Sequence, residues 1–253
     1  MYATHWTPCG TSHSVDLIIA DPPYFQVKGS FDFGVWETRA DYIGWCEQWI
    51  REAGRILRPG GTLIVWGGVG EREMNIARIA VMVEDLGIMT RKNWVTQRNM
   101  RGYGTQRNYM SAREDFLFLV TGPDYTFNVP YSSEVSRRKD MGANGKPRRN
   151  THRRISNVWC DLTEASQSSR ERCAHPTVKS QAICRRIIET HSNPGDTVFI
   201  PFAGAGSEIA ACIELGRKFS ATEISAEYAT LATERVRTLT GKPFPDPVFR
   251  CHP

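Results

Sequence analysis

Residues 196–225 read DTVFIPFAGAGSEIAACIELGRKFSATEIS, and this stretch decides the architecture. DTVFIPF (196–202) is short, β-branched and apolar, a strand buried on both faces. AGAGSE makes a tight turn, SEIAACIELG a helix closing at Gly216, and KFSATEI the next strand. Ser225 then caps a last helix through Tyr228, Leu231, Val236 and Leu239. At the turn, Gly204 and Gly206 let the backbone approach a ligand closely at a helix N-terminus. Glu208 and Ile209 follow directly, so the full Gly-x-Gly-x-x-Gly fingerprint is absent, and such a short turn serves structure alone about half the time. Glu223 ends the next strand, where a nucleotide-binding sheet places an acid for ribose hydroxyls. It also suits the entry of the helix after Ser225, where the dipole favours negative charge. Both features in successive strand–helix units favour an adenosine-type ligand.

The same alternation extends to the rest of the chain. VDLIIA (15–20) reads as a buried parallel strand. A helix starts at Thr38, with Asp41 completing a capping box and Tyr42, Trp45, Trp49, Ala53, Ile56 and Leu57 at helical spacing; RPGG (58–61) ends it. TLIVW (62–66) is the next strand. A helix over Glu71–Leu86 turns Met74, Ile79, Val83 and Leu86 inward and stops at Gly87. NWVTQ (93–97) and EDFLFLVTG (114–122) are strands joined by a basic loop, RNMRGYGTQRNYMSAR. Residues 123–174 lose periodicity and read as an inserted lobe. TVKSQAICRRIIETHS (177–192) is an amphipathic helix with Val178, Ala182, Ile183 and Ile187 inward. The fold class is α/β, a mostly parallel sheet with helices on both faces.

The chain has 253 residues, 40% of them hydrophobic, enough for one core with a lobe. No apolar run approaches the roughly 20 residues of a membrane span, and the N-terminus lacks secretory features, so a cytoplasmic protein is expected. Seven scattered cysteines without a Cys-x-x-Cys pair suggest neither a disulfide framework nor a metal site. Net charge is +5, but RRKDMGANGKPRRNTHRR (137–154) concentrates eight Lys or Arg against one Asp. Such a block either lies open to solvent or meets a polyanion.

One further segment calls for chemistry. Asp21-Pro22-Pro23-Tyr24 ends the strand VDLIIA, so it belongs on the sheet edge where ligands bind. The prolines fix φ and remove backbone donors, leaving acceptors. Two acceptors beside an aromatic face suit an exocyclic amino group on a planar base.

With DPPY at 21–24, HPTVK at 175–179, FAGAG at 202–206 and GRKFSATEIS at 216–225, the chain resembles the β-class S-adenosylmethionine-dependent DNA amino-methyltransferases, adenine-N6 or cytosine-N4. The likeness covers nearly everything outside 123–174. It implies a Rossmann-like methyltransferase fold of the seven-stranded type, circularly permuted in motif order, with a small inserted DNA-recognition lobe. Residues 1–122 would be the catalytic half, 123–174 the target-recognition region and 175–253 the cofactor half. Asp21 and the Pro22 carbonyl would accept hydrogen bonds from the target amino group, Pro23 would stiffen the turn, and Tyr24 would stack on the base. S-adenosylmethionine would lie against Asp21, Phe202, Ala203, Gly204, Gly206 and Ser207, with Glu223 on the ribose and Thr177 and Lys179 at its carboxylate. Arg137, Arg138, Lys139, Lys146, Arg148, Arg149, Arg153 and Arg154 would meet DNA. No metal is implied. The resemblance leaves room for a homodimer, for a cognate restriction enzyme, and for a bacterial, archaeal or phage origin. Aspartate in the tetrapeptide leans towards adenine, with cytosine-N4 as the alternative. RNA and protein-glutamine methyltransferases place the glycine turn before the tetrapeptide, and here it follows. Three positions depart from the family pattern: Ile200 replaces an acid, Ser207 a threonine, and YATHWTPCG (2–10) carries no acid. They leave a catalytically silent DNA-binding relative as the rival.

Overall fold

Strand β1 (Val15–Ala20) lies at the centre of a seven-stranded sheet in a computed structural model that describes residues 12–25, 36–67, 74–103, 106–135, 151–164 and 178–241. β1 pairs in parallel with β2 (Leu57–Trp66) on one side and β8 (Thr197–Ile200) on the other. Beyond β8 runs β9 (Lys218–Ala221), also parallel. Beyond β2 the order continues through β4 (Ser111–Val120) and β3 (Thr90–Tyr103) to β7 (Val158–Trp159). β4 is antiparallel to both of its neighbours, so the sheet is mixed.

Side-chain alternation divides the core into two layers. Leu17 and Ile19 join Trp66, Phe116 and Phe118 beneath α3 (Gln181–His191), α4 (Ser207–Leu215) and α5 (Ala226–Thr240). Val15, Ile18 and Ala20 pack on the other face with α1 (Arg39–Ile56) and α2 (Asn75–Leu86). The helices thus cover both faces, as expected. Among the described residues no helix is long and apolar enough to cross a membrane.

Thr38 caps α1 through the expected box: its hydroxyl accepts from the Asp41 N–H at 3.2 Å and its own N–H donates to the Asp41 carboxylate at 2.9 Å. The stop differs. RPGG does not close the helix but lies inside β2, where the pairing with β1 slips between Leu57 and Thr62. Gly60 takes a φ of +77° there, and a Cβ would collide with the Asp124 carbonyl. Leu57 is therefore a strand residue. α2 starts four residues later than expected, and Met74, with φ 47°, faces solvent.

The expected loop 98–113 is largely strand, since β3 pairs with β4 as far as Tyr103 and Ser111. Polar residues without apolar alternation hid that extension. The segment 123–174 is also less separate than expected. β5 (Tyr131–Val135) and β6 (His152–Arg154) form a two-stranded sheet of their own, but β7 joins the main sheet and buries Trp159 against Phe116. Asn128 ties the approach to β5 to the end of α3, donating through its amide to the Glu189 and Ser192 carbonyls at 2.9 and 3.0 Å. α3 begins at Gln181, so Val178 precedes it.

His191 closes α3, buried against Phe118 with ring centroids 4.4 Å apart. Burial pushes its pKa down to about 3. The unfolded imidazole takes a proton near its ordinary 6.5, whereas the folded ring stays neutral until about pH 3, so stability is lost as pH falls through that window. Replacing His191→Leu removes this slope: between about pH 7 and pH 5 the variant should lose roughly 2 kcal/mol less than the parent by urea unfolding. Equal losses would show that the folded ring is protonated.

Candidate active site

The carboxyl ends of β1, β2 and β8 meet the start of β4 on one edge, and four polar side chains converge there. Asp21 leaves β1 half-buried. The Tyr24 hydroxyl donates to its Oδ1, and the Lys179 Nζ lies 3.2 Å from its Oδ2. Lys179, 8% exposed, also donates to Glu114 at the start of β4. The ammonium stands 4.2 Å from the ring centroid of Trp66, the last residue of β2. Burial works against the lysine's charge, yet Asp21 and Glu114 outweigh it and hold its pKa above the ordinary value. Burial also pushes Glu114 up, with Lys179 pulling it back. Tyr24 is held well above its usual value by burial and by Asp21, and remains a neutral donor. Pro22 is buried and Phe25 stacks on Tyr42 of α1, which fixes the tetrapeptide at both ends.

The glycine turn lies on the neighbouring strand. Its backbone is closed by Ala203 N–H to the Thr222 carbonyl (3.0 Å) and Gly206 N–H to the Ala203 carbonyl (2.8 Å). The buried Glu223 carboxylate accepts the Gly204 N–H at 2.8 Å on one oxygen and the Ser225 N–H at 2.9 Å on the other. Burial raises its pKa, and those N–H bonds pull it back. Gly206, with φ +73°, caps α4, and a Cβ there would meet Val236 and Ala232 of α5 at 3.0 and 3.1 Å. The Ser207 hydroxyl donates to the Lys179 carbonyl at 2.8 Å, joining the turn to the lysine that pairs with Asp21. Arg235 reaches from α5 to the Ala205 carbonyl (2.8 Å) and the Ser207 hydroxyl (3.0 Å). Phe202 packs against Trp45 and Trp49 of α1.

The structure therefore brings Asp21, Pro22, Pro23, Tyr24, Lys179 and the turn 202–207 with Glu223 to one edge. Thr177 and the basic residues Arg137, Arg138, Lys139, Lys146, Arg148 and Arg149 lie outside the described residues, as does YATHWTPCG. Arg153 and Arg154 are exposed on β6, the first 3.5 Å from Glu134 and the second over the Phe127 ring. Glu114, Trp66 and Glu208 escaped the sequence reading. For the two glutamates the signal is an acid beside an apolar run, EDFLFLV for Glu114 and SEIAAC for Glu208; Trp66 carries none. Glu208 is buried in the first turn of α4, and burial, then Asp21, pushes its pKa up to about 7.

A protein-family model described as DNA methylase, of the N6 and N4 type, matches residues 15–234. The chain is 32% identical over 234 residues to the type II methyltransferase M.HpaI of Haemophilus parainfluenzae, covering 88% of this chain and 68% of that protein. It is equally 32% identical over 234 residues to the DNA adenine methyltransferase YhdJ of Escherichia coli K12, covering 89% and 77%. In fold it is similar to the M1.HpyAVI–SAM complex, with a TM-score of 0.61, 24% identity, and 88% and 89% of the two chains covered.

Because the folded Glu208 holds its proton to about pH 7 and the unfolded one to about 4.5, its stabilising share is complete below 4.5 and lost as pH rises to 7. Glu208→Gln should match the ligand-free parent near pH 4 and exceed it by roughly 2–3 kcal/mol above pH 7. Thermal melts across pH check this, and a constant difference would refute it.

Proposed function

The chain belongs to the N6/N4 DNA methylase family, and from that premise we propose that it transfers a methyl group from S-adenosylmethionine to the N6 amino group of a flipped-out adenine in double-stranded DNA. The observation that carries this reading is the juxtaposition on β1 and β8 of an acceptor-rich, aromatic tetrapeptide with a glycine turn held by a buried acid. Adenine is preferred to cytosine-N4 because the tetrapeptide opens with aspartate and because YhdJ is named an adenine enzyme.

The residues of the turn suit the cofactor. Backbone N–H groups hold both Glu223 oxygens in place, and a carboxylate has acceptor capacity beyond them for a ribose diol. When bound, S-adenosylmethionine supplies the methyl group as an electrophile, and the rest falls to the chain. Phe202 and the small residues Ala203, Gly204 and Gly206 shape the pocket floor, and Ser207 holds it to Lys179.

An amino group conjugated to a base ring is a weak nucleophile. Asp21 and the Pro22 carbonyl accept its hydrogens and favour the pyramidal nitrogen that forms a bond to carbon, with electrostatic preorganisation and positioning as the sources of rate. The nitrogen's surplus proton passes to Asp21 and on to water. A base in the duplex cannot reach Asp21, so it must leave the stack, and the Tyr24 ring offers a replacement surface. Both Asp21 oxygens have partners, the Tyr24 hydroxyl on one and Lys179 on the other, so the phenol would turn aside to free an acceptor as the base enters. Residues 131–154, carrying Arg153 and Arg154, are the part of the inserted segment we assign to DNA, with affinity that falls as salt rises.

Sequencing genomic DNA from a methylation-free host expressing the chain should show N6-methyladenine in one short motif; N4-methylcytosine instead would overturn the base assignment. Asp21→Ala should lower kcat by about 100-fold or more, and a variant as active as the parent would overturn the mechanism. Tyr24→Phe should stay within about 3-fold of the parent while Tyr24→Ala loses about 10-fold or more, since a ring stacks and a hydroxyl does not. A chain that binds DNA but not S-adenosylmethionine in calorimetric titration would be the silent relative.

A further inference from the structure

We propose that Glu114 is a positioning residue for this reaction: it anchors Lys179, and through Lys179 it orients Asp21. The inference rests on the methyl-transfer reading above and deepens it.

The argument begins with strand order. β2 lies between β4 and β1, so Glu114 on β4 and Asp21 after β1 stand on opposite flanks of Trp66 at the end of β2. Lys179 crosses above that indole and touches both flanks. An ammonium has three N–H donors. Two carboxylates and one ring face thus surround the ammonium. The lysine's backbone is fixed as well, since its carbonyl accepts the Ser207 hydroxyl at 2.8 Å. Its position is therefore set from the main chain and from the ammonium together.

Glu114 has little reason to be there otherwise. It is 9% exposed and stands in a strand whose following residues, Phe116 to Val120, are all buried and apolar. A buried carboxylate is strongly unfavourable unless paired, and among the described residues Lys179 is the cation that pairs it. Gln97, directly opposite on β3, is buried beside it. With Glu114 present, the lysine divides its charge between two acids, so Asp21 keeps acceptor strength for the amino group. Without Glu114, Lys179 turns wholly onto Asp21, displacing its carboxylate and weakening it as an acceptor.

Single-turnover and steady-state kinetics on Glu114→Gln, Lys179→Met and the double variant test this, with S-adenosylmethionine Kd measured by calorimetry on each. Glu114→Gln should lower kcat by about 10- to 100-fold while Kd stays within about 2-fold. In the Lys179→Met background, adding Glu114→Gln should change kcat by no more than about 2-fold, because the glutamate then has nothing to act through. If Glu114→Gln does not fold, Glu114→Asp, which keeps the charge but withdraws it by one methylene, should lower kcat with Kd unchanged. Additive losses across the cycle, parental kcat in the Glu114 variants, or a Lys179→Met defect confined to Kd would each overturn the inference while leaving methyl transfer by the parent intact. A parent that methylates no DNA would overturn the function and this inference together.

Discussion

A lysine ammonium removed from water must be neutralised where it lies, and Lys179 meets that requirement by drawing on two different strands. The neutralisation is geometrical before it is catalytic. Asp21 and Glu114 are like charges that would repel across β2 without a cation between them, and the Trp66 ring gives that cation a surface of favourable polarity. Burial, then the Asp21 charge, lifts Glu208 towards neutrality against the pull of Lys179.

That arrangement holds only if β1 keeps its register, and the opposite end of the strand secures it. Asp16 is paired to Arg58 of β2 on one oxygen and accepts the Thr197 N–H of β8 at 2.8 Å on the other. One carboxylate therefore ties together the three central strands. A slip of one residue would turn Leu17 and Ile19 out of the layer under α3 and α4, and would carry Asp21 away from Lys179. On the β8 side, Arg235 holds the turn from α5 while Ser207 holds Lys179. The two halves of the edge share hydrogen bonds rather than merely lying close.

What could be read from the residues beforehand was what local pattern encodes. VDLIIA, the Thr38–Asp41 cap, the glycine turn and Ser225 each declare themselves within a few residues, and all are found as read. RPGG misled because proline and glycine punctuate turns and strand bulges alike, and only the pairing of Gly60 beside Asp124 decides which. The strand extension past residue 97 was hidden because polar faces carry no apolar alternation. Glu114 and the true surroundings of Lys179 were out of reach for a different reason. The two lie 65 positions apart, and their meeting depends on β4 entering the sheet antiparallel beside β2, a choice that no local signal records.

The segment that carries β5 and β6 is held by the core. Before β5, Asn128 is pinned to the end of α3 and the Phe127 ring packs on Phe118. After β6, the Ile155 N–H returns to the Pro130 carbonyl at 3.0 Å, the Thr96 N–H of β3 donates to the Asn157 carbonyl at 2.8 Å, and Trp159 enters the core. Arg153 and Arg154 therefore stand on a two-stranded ribbon anchored before β5 and after β6, and phosphates gripped there would be held relative to β3. A fixed grip matters because base extrusion is driven by what replaces the lost stacking, and that replacement works only if the duplex cannot retreat. If DNA phosphates meet Arg153 and Arg154 as proposed, the anchors Asn128 and Trp159 would serve the reaction without approaching Asp21, by holding that strand in the frame that also holds the acceptor.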